Sequence, residues 1–174
     1  RALFELPNGS NVGVLLAQRQ SLERSADRNL VVGVDGALRG RGNLLLTGFA
    51  MVSLTGAGAR PTAEAAVGPG TGQSGEFADK PAPGVGAELS WRGLLLRPQL
   101  RYAYYHPQLR ADLGFLRRVG IHEAVGVLAI EPRLQRRRVE RVTISLESGV
   151  VAGVDPGRLL DAYGLAEATL RWSI

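Results

Sequence analysis

The chain has no cysteine, so neither a disulfide framework nor a thiolate metal site can hold it together. No uninterrupted apolar run approaches the ~20 residues of a membrane-crossing helix, which excludes helical spanning but not a barrel of strands. His106 and His122 are its two histidines. Asp112 and Glu123 stand near them, but no HExxH or comparable spacing is present and a metal site needs three convergent ligands. They read as solvated loop histidines, and no metal or cofactor is expected. A Gly-x-Ser-x-Gly elbow is also missing. The glycine-rich GAGARP and GPGTGQSG stretches lack the Lys-Ser/Thr ending of a phosphate cradle. Arg136-Arg137-Arg138 has no aromatic stacking platform beside it, so lipid headgroups or plain solvation are expected there rather than nucleic acid. The chain opens at Arg1 without a signal-like apolar run. That suggests a processed start or a piece of a longer protein.

What is present is apolar, basic and rich in turn formers. The 174 residues are 45% hydrophobic, carry a formal charge of +5 and include 23 glycines and nine prolines. One domain is the expectation from that length. With so large an apolar share the glycines and prolines read as turns rather than disorder. The stretch Leu94–Arg118 sets the pattern. Leu94, Leu96, Pro98, Leu100, Tyr102 and Tyr104 alternate with Arg97, Gln99, Arg101 and Ala103. One apolar and one basic face is what a strand needs to separate two media.

The same period of two recurs along the chain. Val12, Val14 and Leu16 share a face, as do Leu30, Val32, Val34 and Leu38, and opposite the latter lie Val31, Gly33, Asp35, Ala37 and Arg39. Further strands are expected over 43–54, 84–91, 121–133, 139–147 and 161–174. The connections alternate in length. Pro7–Gly9, Gly40–Gly42, Arg92-Gly93 and Gln135–Arg138 are short; Gln20–Asp27, residues 55–83, Pro107–Gly120 and Ser148–Leu160 are long. Outer-membrane barrels sort their connections in this way, with short periplasmic turns and long outer loops. The fold expected is therefore all-β: an antiparallel up-and-down transmembrane barrel, or part of one, of about eight or nine strands. Residues 55–83 would be a long extracellular loop. Trp91 and Trp172 would then sit in one interfacial girdle, and Tyr102 and Tyr104 in the other.

Two stretches carry a resemblance. In RNLVVGVDGALR the elements are Asn29, Gly33, Asp35 and Arg39. In LRYAYYHPQLRADLGFLRRVGIHEAVGVLAIEPR they are Tyr102–Tyr105, Asp112, Leu113-Gly114-Phe115 and Arg117-Arg118. From about Asn11 onward the chain resembles an uncharacterised family of bacterial proteins. That family joins an amino-terminal carbohydrate-binding-family-9-like domain to a carboxy-terminal outer-membrane β-barrel. The resemblance implies that residues 1–174 are a segment of a larger barrel in the bacterial cell envelope. Any carbohydrate partner would belong to the other domain. It also makes Asp112, Gly114, Phe115, Arg117 and Arg118 a family-signature loop.

The remaining candidates lie on the polar side of the strands: Asp35, Arg39, Glu88, Arg92, Arg97, Arg101, Arg141, Glu147, Glu167 and Arg171. In a narrow barrel they would pair and fill the lumen, because unpaired buried charge is costly. In a wide one their excess of arginine would line an anion-favouring, porin-like path. The function expected is non-enzymatic, anchoring in outer-membrane lipid with or without a passage. The alternatives are a soluble all-β ligand-binding barrel or sandwich, and a barrel-embedded hydrolase, which would need a nucleophile and base converging on one rim and would lose activity when His106 is mutated.

Overall fold

Strands form where the apolar–polar alternation persists, and glycine and proline lie within several of them as well as in the turns between them. A computed structural model describes residues 1–20, 22, 28–56, 81–111, 118–132, 139–155 and 158–172, with the backbone alone for 139–141 and Trp172. Among the described residues nine strands run in chain order: β1 (Ala2–Glu5), β2 (Asn11–Gln20), β3 (Arg28–Arg39), β4 (Leu44–Thr55), β5 (Ala82–Trp91), β6 (Leu96–Tyr105), β7 (Ile121–Ile130), β8 (Val139–Gly153) and β9 (Leu159–Trp172). Each pairs antiparallel with the next in one sheet, and β1 and β9 are its two edges. The sheet is open, as a partial barrel is.

Where the short turns are described, they use left-handed backbone. Gly9 has φ +74°, and the turn between β3 and β4 places Gly42 and Asn43 both at φ 67°. Glycine and asparagine tolerate this region where other side chains meet the carbonyl. Ser10 fixes the first turn, since its Oγ accepts from the Arg39 N–H at 2.9 Å and its own N–H donates to Asn8 Oδ1 at 3.0 Å.

Two of the expected connections change. β8 runs on to Gly153, so the link to β9 is only residues 154–158 rather than a long Ser148–Leu160 loop. Gly149 is the reason. It lies opposite Tyr163, whose ring crosses it so closely that a Cβ there would come within 2.4 Å of the tyrosine Cε1. The glycine makes room for a ring within a strand and does not mark a turn. Conversely, β7 ends at Ile130 rather than Arg133, which lengthens the link to β8 to residues 131–138. The length alternation therefore holds from β1 to β7 and fails at the last two connections.

Burial in the sheet is inverted relative to a water-soluble core. Following the register across the strands, Val12, Val34, Leu46, Val85, Leu100, Leu146 and Leu170 fall on one face, and all are exposed. Gly13, Asp35, Thr47, Glu88, Arg101, Glu123 and Glu147 fall on the other. Every strand residue that is buried, from Gly13, Val31 and Ser53 to Ala103, Ile121 and Val125, lies on this second, polar face. The sheet thus curls toward its polar side and presents its apolar side outward.

Candidate functional site

The polar face forms an open trough of about 650 Å³, lined by Asp35, Thr47, Phe49, Glu88, Arg101 and Glu123 among others. Its charges pair across strands, as groups confined to one side of a sheet do. Arg101 Nη2 donates to Glu123 Oε1 at 3.2 Å, and Glu88 stands directly opposite Arg101 in the ladder. Arg97 reaches Glu131 at 2.9 Å. Tyr163 Oη donates to Glu147 Oε1 at 3.0 Å, and Arg1 pairs with Asp35. Phe49 lies over Gly86 as Tyr163 lies over Gly149; in both places a Cβ would meet the ring at 2.4 Å. These glycines lower two rings onto the sheet and keep the trough open.

Of the residues singled out from the sequence, Asp35, Arg39, Glu88, Arg97, Arg101, Glu147, Glu167 and Arg171 do share this face. Arg39 sits at its short-turn rim, with Nε donating to Gly9 O at 3.0 Å. Arg92 does not join them. β5 ends one residue earlier, and Arg92 lies in the turn, its N–H on Asn43 O and its carbonyl accepting from Asn43 Nδ2. Arg141 is in register with Arg171, and its side chain lies outside the described residues.

Two further carboxylates, Glu123 (noted in the sequence only beside the histidines) and Asp161, also belong to this face. Glu123 and Asp161 are joined through Val151 in the same polar row as Ala103. The strand period from Val125 back to Glu123 was the signal, obscured because His122-Glu123 adjoins the loop. With them the charge balance of the face changes. Among the described side chains within its strands, Glu5, Asp35, Glu88, Glu123, Glu147, Asp161 and Glu167 outnumber Arg19, Arg39, Arg97, Arg101 and Arg171. The excess of arginine expected there is absent among them.

The outer face ends in aromatic groups. Trp91 Nε1 donates to Gly42 O at 2.7 Å, clamping two neighbouring short turns. At the opposite end Tyr102 and Tyr104 sit on the apolar face with His122. Tyr102 Oη and His122 Nδ1 share a hydrogen bond of 2.7 Å, and the Tyr104 ring centroid is 4.8 Å from that of His122. His122 is therefore a strand residue packed among tyrosines, not a loop histidine. Its register partner is Tyr104. His106 lies in the turn after β6, with Nδ1 accepting from the Gln108 N–H at 3.2 Å.

Asp112, Gly114, Phe115 and Arg117 of the signature loop lie outside the described residues, as do Arg136–Arg138, residues 57–80 and the Trp172 side chain; Arg118 is exposed. Among the described residues no three His, Asp or Glu side chains are grouped as metal ligands. No helix there is long and apolar enough to cross a membrane, which says nothing about a barrel. No known protein family, curated protein or solved structure matches the chain.

Proposed function

We propose that this chain is wall of a non-enzymatic outer-membrane β-barrel, with lipid against its apolar face and the polar trough as part of its interior. The observation that carries the reading is the inverted burial. About twenty large apolar side chains, continuous from strand to strand and many near half exposure, amount to a patch on the order of 1,000 Å². A soluble monomer rarely shows more than a few hundred Å². A soluble ligand-binding barrel would turn these side chains inward, and here the inward side carries the carboxylates and arginines.

Dimensions support the same reading. β2, β5, β6 and β7 have ten residues each. Such a strand is about 33 Å long, and tilted by the ~40° usual in membrane barrels it rises about 25 Å, the height of their apolar band. Tyr102, Tyr104 and Trp91 at its two ends suit the interfaces. The resemblance to barrels joined to carbohydrate-binding-family-9-like domains supports a role in anchoring, and forming a passage for, a protein whose other part binds carbohydrate.

The test is the behaviour of the intact protein. A barrel of this kind stays in detergent and migrates differently on gels before and after heating. Purification from the aqueous fraction without detergent, with migration indifferent to heat, would overturn the assignment. A wall lining an open path further predicts that Arg97→Glu raises the cation-to-anion permeability ratio in planar bilayers, whereas an unchanged ratio identifies a filled interior.

A further inference from the structure

The segment after β6 does not leave the sheet. His106 donates its N–H to Pro83 O at 3.0 Å, and Leu109 donates to His106 O at 2.9 Å, so the chain turns back on itself at Pro107-Gln108. It then runs across the polar face. Leu109 is 4% exposed and lies over Gly84 of β5, where an added Cβ would come within 2.8 Å of its Cδ2. One residue on, the Arg110 N–H donates to Ser53 Oγ of β4 at 3.1 Å. The Arg110 carbonyl accepts from Asn29 Nδ2 of β3 at 3.1 Å. A segment that begins at the end of β6 thus reaches β3.

This seating is built into the strands. Asn29 and Ser53 are the buried polar side chains of the described strands, at 3% and 1% exposure, and both turn toward the segment. A buried amide or hydroxyl calls for a partner, and a backbone N–H and C=O from one residue supply both. Asn29 Nδ2 also reaches Thr55 Oγ1 at 3.2 Å, which fixes its rotamer. Gly84 supplies the space for Leu109.

We propose that His106–Ala111 is a constriction: a strap across the interior at the long-loop end that narrows the passage and sets the largest solute that enters. The proposal rests on the barrel reading above. It assigns Asn29 and Ser53 as the anchors of the strap and Leu109 as its plug.

Residues 1–174 contain no cysteine, so within this chain the engineered thiols are the sole reporters. In the intact protein reconstituted into liposomes, a Ser53→Cys/Arg110→Cys pair locks the strap when oxidised and frees it when reduced. Osmotic swelling with neutral sugars of increasing size should show the same cutoff as the parent in the oxidised form. Reduction should admit larger sugars and raise their entry rate several-fold, and Asn29→Ala/Ser53→Ala should do the same without a redox step. Leu109→Cys should react with a membrane-impermeant maleimide far more slowly than Pro107→Cys, because position 107 is exposed. Equal labelling of the two positions would overturn the seating. Equal cutoffs in both redox states, or no sugar entry in any form, from protein that keeps its heat-modifiable migration would overturn the constriction and leave the barrel standing. Loss of membrane insertion in the parent protein would overturn the barrel itself.

Discussion

Leu100→Arg separates a lipid-facing sheet from a water-facing one by sign and size. Leu100 is at the middle of β6, on the apolar face, and 61% exposed. Full burial of a leucine side chain is worth ~1.5–3 kcal/mol, so covering the exposed three-fifths with hydrocarbon contributes about 1–2 kcal/mol that the substitution removes. The guanidinium then has to reach an interface from mid-bilayer. Together these place the cost at ~2–4 kcal/mol, the range for arginine at the midplane of a membrane barrel. Leu38→Arg, on the same face but one residue from the end of β3, should cost only ~0–1 kcal/mol because its side chain emerges near headgroups. In water both positions are surface sites and both changes should fall within ~0.5 kcal/mol of neutral. The assay is equilibrium denaturant unfolding of the intact protein refolded into lipid vesicles, followed by tryptophan fluorescence. Equal, small effects at positions 100 and 38 would refute the lipid-facing assignment.

Other substitutions test individual contacts. Gly149→Ala and Gly86→Ala should each destabilise by ~1–3 kcal/mol, because the added methyl meets the ring of Tyr163 or Phe49 and overpacks the face; denaturant midpoints check this. The partner change Tyr163→Ala in a Gly149→Ala background should recover much of the loss. Trp91→Phe keeps the ring's apolar character but leaves Gly42 O without its indole donor, for a loss of ~0.5–1.5 kcal/mol, measured in the same way. Breaking the half-exposed Arg101–Glu123 pair with Arg101→Gln should cost no more than ~1 kcal/mol, so a larger drop in stability would mean that the pair is shielded from water in the intact protein.

Much of the architecture is legible in the sequence because a strand with one apolar and one polar face alternates, as β6 does from Leu96 to Tyr102. The polar candidates followed from the same period, which is why eight of them share a face. Failures arose where glycine has a packing role. Ser148-Gly149 looks like the start of a turn, and only Tyr163, on a different strand, shows that the glycine lies beneath a ring. His122 was assigned to a loop because its tyrosine partners come from β6 and do not neighbour it in sequence. The strap was illegible for a related reason. HPQLRA reads as a solvated loop, and its anchors are separated from Arg110 by 57 and 81 positions. Long-range polar pairing of that kind leaves no periodic trace.

The odd number of strands among the described residues has a consequence, on the proposed reading, for how the sheet can close. In an up-and-down sheet alternate strands share a direction, so the first and the ninth point the same way, from the long-loop end toward the short turns. Seam formation between these two edges would be parallel and would not continue the ladder used everywhere else. Copies standing the same way up in one membrane meet with the same mismatch, so a ring of identical units would carry a parallel seam at every joint. An antiparallel seam requires an odd number of additional strands, the outermost of them rising from the short-turn side. Closure in that manner gives an even total, and it makes the free edges of β9 and β1 the two positions where those strands dock.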